Sequence, residues 1–326
     1  MLLFVGKRLL RIVLSLIAVS IITFLLLQAA PGNFADISRI ISGGAVTSDS
    51  GATAALQSRY GADVPLVQQY LKFMWGVLTL DMGPSYKYPS LDVEEIIAGA
   101  FPISAGLAIL GTLLALVLAI PLGALAALRR NTALDHAPMF LITVLHALPS
   151  YLFGVMLVLI FAVGLGWLPT SGWDGPQNAI LPVMALGLTA ASVLARYVRS
   201  SMLEVLNEEY ITAAHAKGGR PSTVVMRHAL RNSLIPLVTF TGPMLATLMT
   251  GTVFIEWLFQ VPGLGTYFAD AARTRDMPLL MGTTLFFALI IMLTNLIVDL
   301  LYGFLDPRIR FGEGGWASWR RQRSKP

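Results

Sequence analysis

Six stretches of the chain carry no Asp, Glu, Lys or Arg: residues 12–35, 96–128, 137–173, 175–195, 232–255 and 277–298. Each can hold the about 20 apolar residues that a helix needs to cross the hydrocarbon of a bilayer. In that medium every backbone N–H and C=O must be satisfied within the segment, so runs of this length fold as helices. Spans are therefore expected at about 9–28, 103–128, 137–163, 179–198, 234–254 and 279–304, which makes the chain an all-α polytopic membrane protein with six transmembrane helices. The overall balance agrees, with 56% hydrophobic against 13% charged residues, a mixture that soluble domains rarely show. The first stretch follows Lys7, Arg8 and Arg11 and could also be read as a cleaved signal peptide. Its apolar run exceeds the about 7–15 residues of a signal core, which favours a retained span.

Orientation follows from the basic residues. Most of the 23 Lys and Arg fall on one side of the predicted spans: Lys7, Arg8 and Arg11 at the start, Arg129 and Arg130 in a tight turn, Arg196, Arg199, Lys217, Arg220, Arg227 and Arg231 in a long loop, and a cluster in the tail. Basic loops stay inside, so both termini are expected in the cytoplasm. The net charge of +5 needs no nucleic-acid partner, because these residues line the membrane face where anionic headgroups lie. With no cysteine, disulfides, thiolate metal sites and cysteine nucleophiles are excluded.

Four regions follow: a cytoplasmic N-terminus with the first span (1–30), an external segment (31–101), a core of the remaining spans (102–305) that includes a cytoplasmic loop at 199–233, and a basic tail (306–326). The external segment opens with a small-residue tract at 43–54 too polar to order itself. It continues with Leu66, Tyr70, Met74 and Val77 spaced along one helical face, which predicts an interfacial helix. Pro121 and Pro149 fall inside spans two and three and are expected to kink them. Beside Pro149 stand His146, Ser150 and Tyr151, either lining a solute path or acting as packing groups between helices. Thr247 and Thr250 on span five, and Glu256 just beyond it, are further pathway candidates. Glu256, placed at the outer boundary, is expected to reach water at little cost and to serve a structural or gating role. Asp299, near the inner end of span six, is positioned to pair with Arg308.

Between spans four and five lies a polar island, residues 208–236. Asn207 can cap a helix whose first turn carries Glu208 and Glu209, Gly218 and Gly219 can supply the positive φ of its end, and Pro221 suits the first position of a second helix. Ala213 and Ala214 leave the first helix free of bulk where a partner could approach its backbone. These residues resemble the cytoplasmic docking loop of the permease subunits of ATP-binding-cassette importers, with the run Thr212-Ala213-Ala214-His215-Ala216-Lys217-Gly218 in place of the family signature and Thr212 where that signature has Glu. The Ala-Lys-Gly ending, the stretch from Arg227 to Asn232, and Ile235-Pro236 are similar to the peptide-importer branch. The run from Gly83 to Tyr88, followed by Phe101-Pro102, looks like the oligopeptide rather than the dipeptide subgroup. Asp306-Pro307-Arg308 resembles the end of a peptide permease.

The resemblance implies a type I importer permease in a bacterial cytoplasmic (inner) membrane. It would form half of a heterodimeric pore with a second homologous permease, served by two ATPase subunits that bind ATP and Mg and by an extracytoplasmic peptide-binding protein. Glu208, Glu209, Tyr210, Ala213, Ala214, Lys217 and Gly218 would couple the chain to the ATPase. A same-family importer of dipeptides, glutathione or nickel is the alternative. The chain carries no Gly-x-x-x-x-Gly-Lys-Ser/Thr phosphate loop, His-Glu-x-x-His zinc helix or Gly-x-Ser-x-Gly turn, so no cofactor and no catalytic site of its own are expected. An ion-coupled carrier is the rival from another class. Carriers usually place ionisable residues near the midplane, which these six stretches lack.

Overall fold

The computed structural model describes residues 2–29 and 64–305. The 43–54 tract, the 306–326 tail and therefore the pairing of Asp299 with Arg308 lie outside the described residues. Among those residues the structure is helical, with one isolated bridge between Pro84 and Asp92. The helices are α1 (Leu2–Ala29), α2 (Leu66–Thr79), α3 (Val93–Leu128), α4 (Ala133–Ala147), α5 (Ser150–Leu157), α6 (Pro176–Leu206), α7 (Glu209–Ala216), α8 (Pro221–Thr223), α9 (Arg231–Ser233), α10 (Ile235–Gly251), α11 (Val253–Phe259), α12 (Leu264–Thr274) and α13 (Met277–Leu305). Two π-helical runs, Val158–Gly164 and Val224–Leu230, continue α5 and join α8 to α9.

Four helices are long and apolar enough to cross a membrane unaided: α1, α3, α6 and α13. The other two predicted spans are bent pairs. The arms of span three, α4 and the helix from Ser150 to Gly164, meet at 107°, and α10 and α11 meet at 45°. A simple proline kink was expected for span three, and the break is larger for a physical reason. Pro149 has no N–H to give and drives Leu148 out of the helical region, to φ −88 and ψ 130, so the chain turns before a new helix begins at Ser150. Span two behaves oppositely, since α3 continues as one helix through Pro102 and Pro121. It also starts earlier than expected, at Val93, behind the capping pair Asp92 and Glu95.

The axis of the molecule is the contact of α3 with α6. Along α3 the residues Gly111, Ala115, Ala119, Gly123 and Ala127 recur every four positions, and α6 answers with Gly187, Ala191 and Ala195. Most of these are fully or nearly fully buried. Lipid offers no hydrophobic drive for helices to associate, so contact depends on how closely the backbones approach, and small residues allow the closest approach. At Gly123 a β-carbon would lie 2.6 Å from the Ala195 carbonyl oxygen and 2.7 Å from Val198 Cβ. The opposite side of α3 exposes Ile109, Leu113 and Val117, as a lipid-facing surface should.

Four apolar clusters are strung along α3. The first joins Val93, Ile97 and Ala100 to Leu264 and Leu279, and the second joins Leu107 to Phe153, Leu181, Ile255 and Phe259. A third gathers Ala115 and Ala119 with Leu194 and Leu237, and a fourth joins Ala127 to Met202, Ile211, Val224 and Ala229. The amphipathic helix predicted near 65–80 is α2. Tyr70, Met74 and Val77 are half-buried as expected, whereas Leu66 is exposed. Its other face, with Val67, Leu71, Trp75 and Leu78 exposed, is equally apolar and suits the edge of a bilayer. A hydroxyl contact of 2.8 Å between Ser20 and Tyr70 and the Phe24 ring against Tyr70 tie α2 to α1.

At the other end, Asp135 in the first turn of α4 is 1% exposed and receives Arg199 of α6 through Nε at 2.6 Å and Nη2 at 2.8 Å, with the Asn131 N–H adding a third bond at 3.0 Å. Two outcomes test this frame. Gly123→Leu should separate α3 from α6 and sharply reduce the folded fraction recovered in detergent, whereas Gly106→Leu, where a β-carbon meets nothing within 4 Å, should be recovered normally. Asp135→Ala strands the Arg199 charge and should cost about 2–3 kcal/mol, seen as a lower thermal midpoint, with the exchanged pair Asp135→Arg plus Arg199→Asp regaining part of the loss.

Candidate functional site

The polar island folds as a compact module hung from α3 and α6. Ile211 of α7 is buried against Ala127, Met202, Val224 and Ala229, with Ala214 packed beside them. Ser201 donates to the Ser233 carbonyl at 3.0 Å, and Asn232 Nδ2 donates to the Tyr210 hydroxyl at 2.9 Å. Asn207 does not open α7 as expected. It closes α6, its side chain donating to the Leu203 carbonyl at 2.9 Å, and Glu208 occupies the N-cap of α7. The turn after α7 divides its work between two glycines. Gly218 adopts φ +79 with open space where a β-carbon would go, so its requirement is conformational. Gly219 is needed for room, since a β-carbon there would sit 2.8 Å from the Ala214 carbonyl oxygen.

The predicted coupling residues therefore separate. Glu208, Glu209, Tyr210, Ala213, Lys217 and Gly218 are exposed, as is Met226 in the π-helical run that follows α8. Ala214 points into the module's own core. An exposed helical surface carrying small and apolar groups among charges, backed by its own apolar cluster, suits a rigid docking knob.

The predicted pathway residues fall around the two helix breaks. His146 is exposed at the last turn of α4, Ser150 begins α5, and the Tyr151 ring lies 6.0 Å from Phe254 of α11, so both bent pairs meet there. Thr247 and Thr250 hydrogen-bond back to carbonyls of their own helix, Thr247 to Pro243 at 2.9 Å and Thr250 to Thr247 at 3.1 Å. Among the described residues their hydroxyls bond to no other helix.

Glu256 overturns its expectation. It is 0% exposed. Its Oε2 accepts the Gly265 N–H at 2.7 Å and the Thr266 N–H at 3.2 Å, the free donors at the start of α12, while Ser104 Oγ on α3 accepts the Leu264 N–H at 2.8 Å. A carboxylate at a helix N-terminus meets both hydrogen-bond donors and the positive end of the helix dipole, which compensates its burial. The chain approaches so closely that a β-carbon on Gly263 would overlap the carboxylate. Glu256 Oε1 is buried with no hydrogen-bond partner among the described residues.

The far side of α12 is fixed as well. Asp276, fully buried, accepts the Ser85 hydroxyl, the Lys87 N–H at 3.0 Å and the Leu279 N–H at 3.2 Å. Lys87 Nζ meets Asp270 Oδ2 at 2.5 Å, and the Tyr88 hydroxyl reaches the same oxygen at 3.2 Å. Burial opposes the charge on Lys87, yet the Asp270 and Tyr88 partners outweigh it and raise the ammonium pKa; burial raises that of Tyr88 too. The run from Gly83 to Tyr88 is therefore a clamp on α12, a role its local sequence could not announce because the partners lie about 190 residues away.

Comparisons with known proteins agree with this arrangement. Residues 119–311 match the family described as binding-protein-dependent transport system inner membrane component, and residues 1–105 match the N-terminal family of the same transport-system membrane components. The dipeptide transport system permease protein DppB of Bacillus subtilis is 36% identical over 95% of this chain and 98% of its own length. The oligopeptide permease OppB of Haemophilus influenzae is 37% identical over 95% and 100%, and the glutathione permease GsiC of Salmonella paratyphi A is 38% identical over the same shares. Among solved structures, an inward-facing MetNI methionine ABC transporter chain aligns with a TM-score of 0.55 at 18% identity, covering 65% of this chain and 96% of that one, a likeness of fold. The chain belongs to the family of binding-protein-dependent transport system inner membrane components.

Proposed function

We propose that this chain is the membrane-spanning permease subunit of an ATP-driven peptide importer, forming one half of a pore with a second, homologous permease. The observation that carries this reading is the cytoplasmic module. It is a solvent-exposed helix on its own apolar core, locked to the ends of α3 and α6, so force applied to α7 reaches both helices without a flexible link. A carrier driven by an ion gradient has no use for such a knob. Two ATPase subunits would bind ATP and Mg, and one of them would grip α7 through Glu209, Tyr210, Ala213 and Lys217. Glu208 and Gly218 set its two ends, and Ala214 contributes from inside. An extracytoplasmic binding protein would deliver peptide to the opposite face. Both termini are proposed to lie in the cytoplasm, on the distribution of basic residues, and the chain in a bacterial inner membrane, on the family it belongs to.

Relatives of nearly equal identity carry dipeptide, oligopeptide and glutathione names, so identity alone does not separate the substrates. Oligopeptides are proposed on the Gly83 to Tyr88 run. In alternating access the breaks after Ala147 and Gly251 are the places where arms can swing while the α3 and α6 axis stays rigid. His146, Ser150, Tyr151, Thr247 and Thr250 are proposed to border that moving region.

The test is isolation of the tagged chain in mild detergent. Co-purification of a second permease and nucleotide-binding subunits with peptide-stimulated ATP hydrolysis is expected, and recovery of the chain alone with ion-driven transport would sink the proposal. Within the assembled complex, Gly218→Val forces a β-branched residue to positive φ at a cost of about 1–2 kcal/mol. Peptide taken up per ATP hydrolysed should fall severalfold, while Gly218→Asn, which tolerates that region, should stay close to normal.

A further inference from the structure

A cavity of about 660 Å³ opens at the outer end of the molecule, walled by α11, the turn that follows it, α12 and Tyr88. We propose that it receives the carboxylate end of the transported peptide, with Arg273 as the anion contact. The proposal rests on the peptide-importer reading and deepens it by assigning one end of the substrate to one side chain.

Three observations carry it. The first is charge. Asp270 lines the cavity, but its carboxylate is already engaged by Lys87 and Tyr88. Arg273, almost one helical turn further along α12, also lines the cavity, is exposed, and forms no hydrogen bond or ion pair among the described residues. Lys87, Asp270 and Arg273 together leave one unbalanced positive charge at the opening. That favours a carboxylate over the ammonium end of a peptide, and a guanidinium can hold a carboxylate through two parallel bonds.

The second observation is the rest of the lining. Tyr88 and Tyr267 stand edge to face with centroids 5.5 Å apart, and Trp257 is 51% exposed beside them. Aromatic faces accept many side chains without demanding one, which suits a site that must hold peptides of varied sequence. The volume lies within the range of small-ligand sites.

The third is rigidity. α12 is held at its start by Glu256 and Ser104, and through Asp270 by the 85–88 clamp. Its position is set before any ligand arrives, so little ordering is charged against binding. Arg273 is thus presented from a fixed wall.

The experiment uses the complete importer with its binding protein in proteoliposomes. A mixed library of di- to pentapeptides is supplied as free acids and, separately, as C-terminal amides, and uptake is read by mass spectrometry. Wild type is compared with Arg273→Gln and Arg273→Lys. Because the same binding protein captures every peptide in each comparison, the ratio of variant to wild-type uptake isolates the permease. Arg273→Gln should lower uptake of free acids about tenfold while amides change less than about twofold, with Arg273→Lys between. An equal loss for acids and amides would assign Arg273 to binding-protein docking or to structure and overturn the proposal, as would no loss for either. Absence of ATP-dependent uptake of both forms by the wild type would instead remove the peptide reading itself, and this proposal with it.

Discussion

The seam of small residues between α3 and α6 is the contact on which the rest of the structure depends. Inside a bilayer there is no water to expel between helices, so attraction comes from dispersion between atoms in contact, which falls off within about an ångström of separation. Gly111, Ala115, Ala119, Gly123 and Ala127 give α3 a flat side, and Gly187, Ala191 and Ala195 give α6 its match. Side chains without rotamers cannot re-pack when the helices shift, so the pair behaves as one rod. The cluster around Val93 and Leu264 and the cluster of the 208–236 module are fastened to the two ends of that rod.

The two ends are built from different chemistry. At the end that carries the 208–236 module an apolar key, Ile211 among Ala127, Met202 and Val224, is accompanied by the bidentate pair of Asp135 and Arg199, whose two charges compensate each other. At the opposite end Glu256 and Asp276 are compensated mainly by backbone N–H groups, and the helix they hold, α12, follows their position. Between the ends lie both helix breaks. Rigid ends with a broken middle concentrate any bending at the two helix breaks.

Much of this could be read from residue order alone. Charge-free stretches located the membrane segments, because a missing charge is a strong constraint in lipid. The break after α7 and the start of α8 followed from Gly218 and Pro221, whose backbone limits are local. What depended on distant partners could not be read. Asn207 could have capped either neighbouring helix, and only the Leu203 carbonyl decides that it closes α6. Pro149 announced a disturbance but not its angle, which packing sets. Glu256 was placed beside water by its position at a span boundary, whereas α12 folds back to cover it. The ladder of glycine and alanine on α3 stands in the sequence but resembles ordinary helix filling until a facing ladder is found on α6.

The partners of Glu256 also impose an order on how the protein is made. The N–H groups that its carboxylate accepts, those of Gly265 and Thr266, leave the ribosome after it. While span five is being inserted, the carboxylate has no helix to cap, and the apolar cluster of Ile255 and Phe259 beside it cannot close around an open charge. Burial at this end is a late event, completed when α12 swings in and seats its N-terminus. A chain stalled or truncated before residue 264 would keep an uncovered acid at its outer rim, a chemical mark that distinguishes an unfinished permease from a finished one.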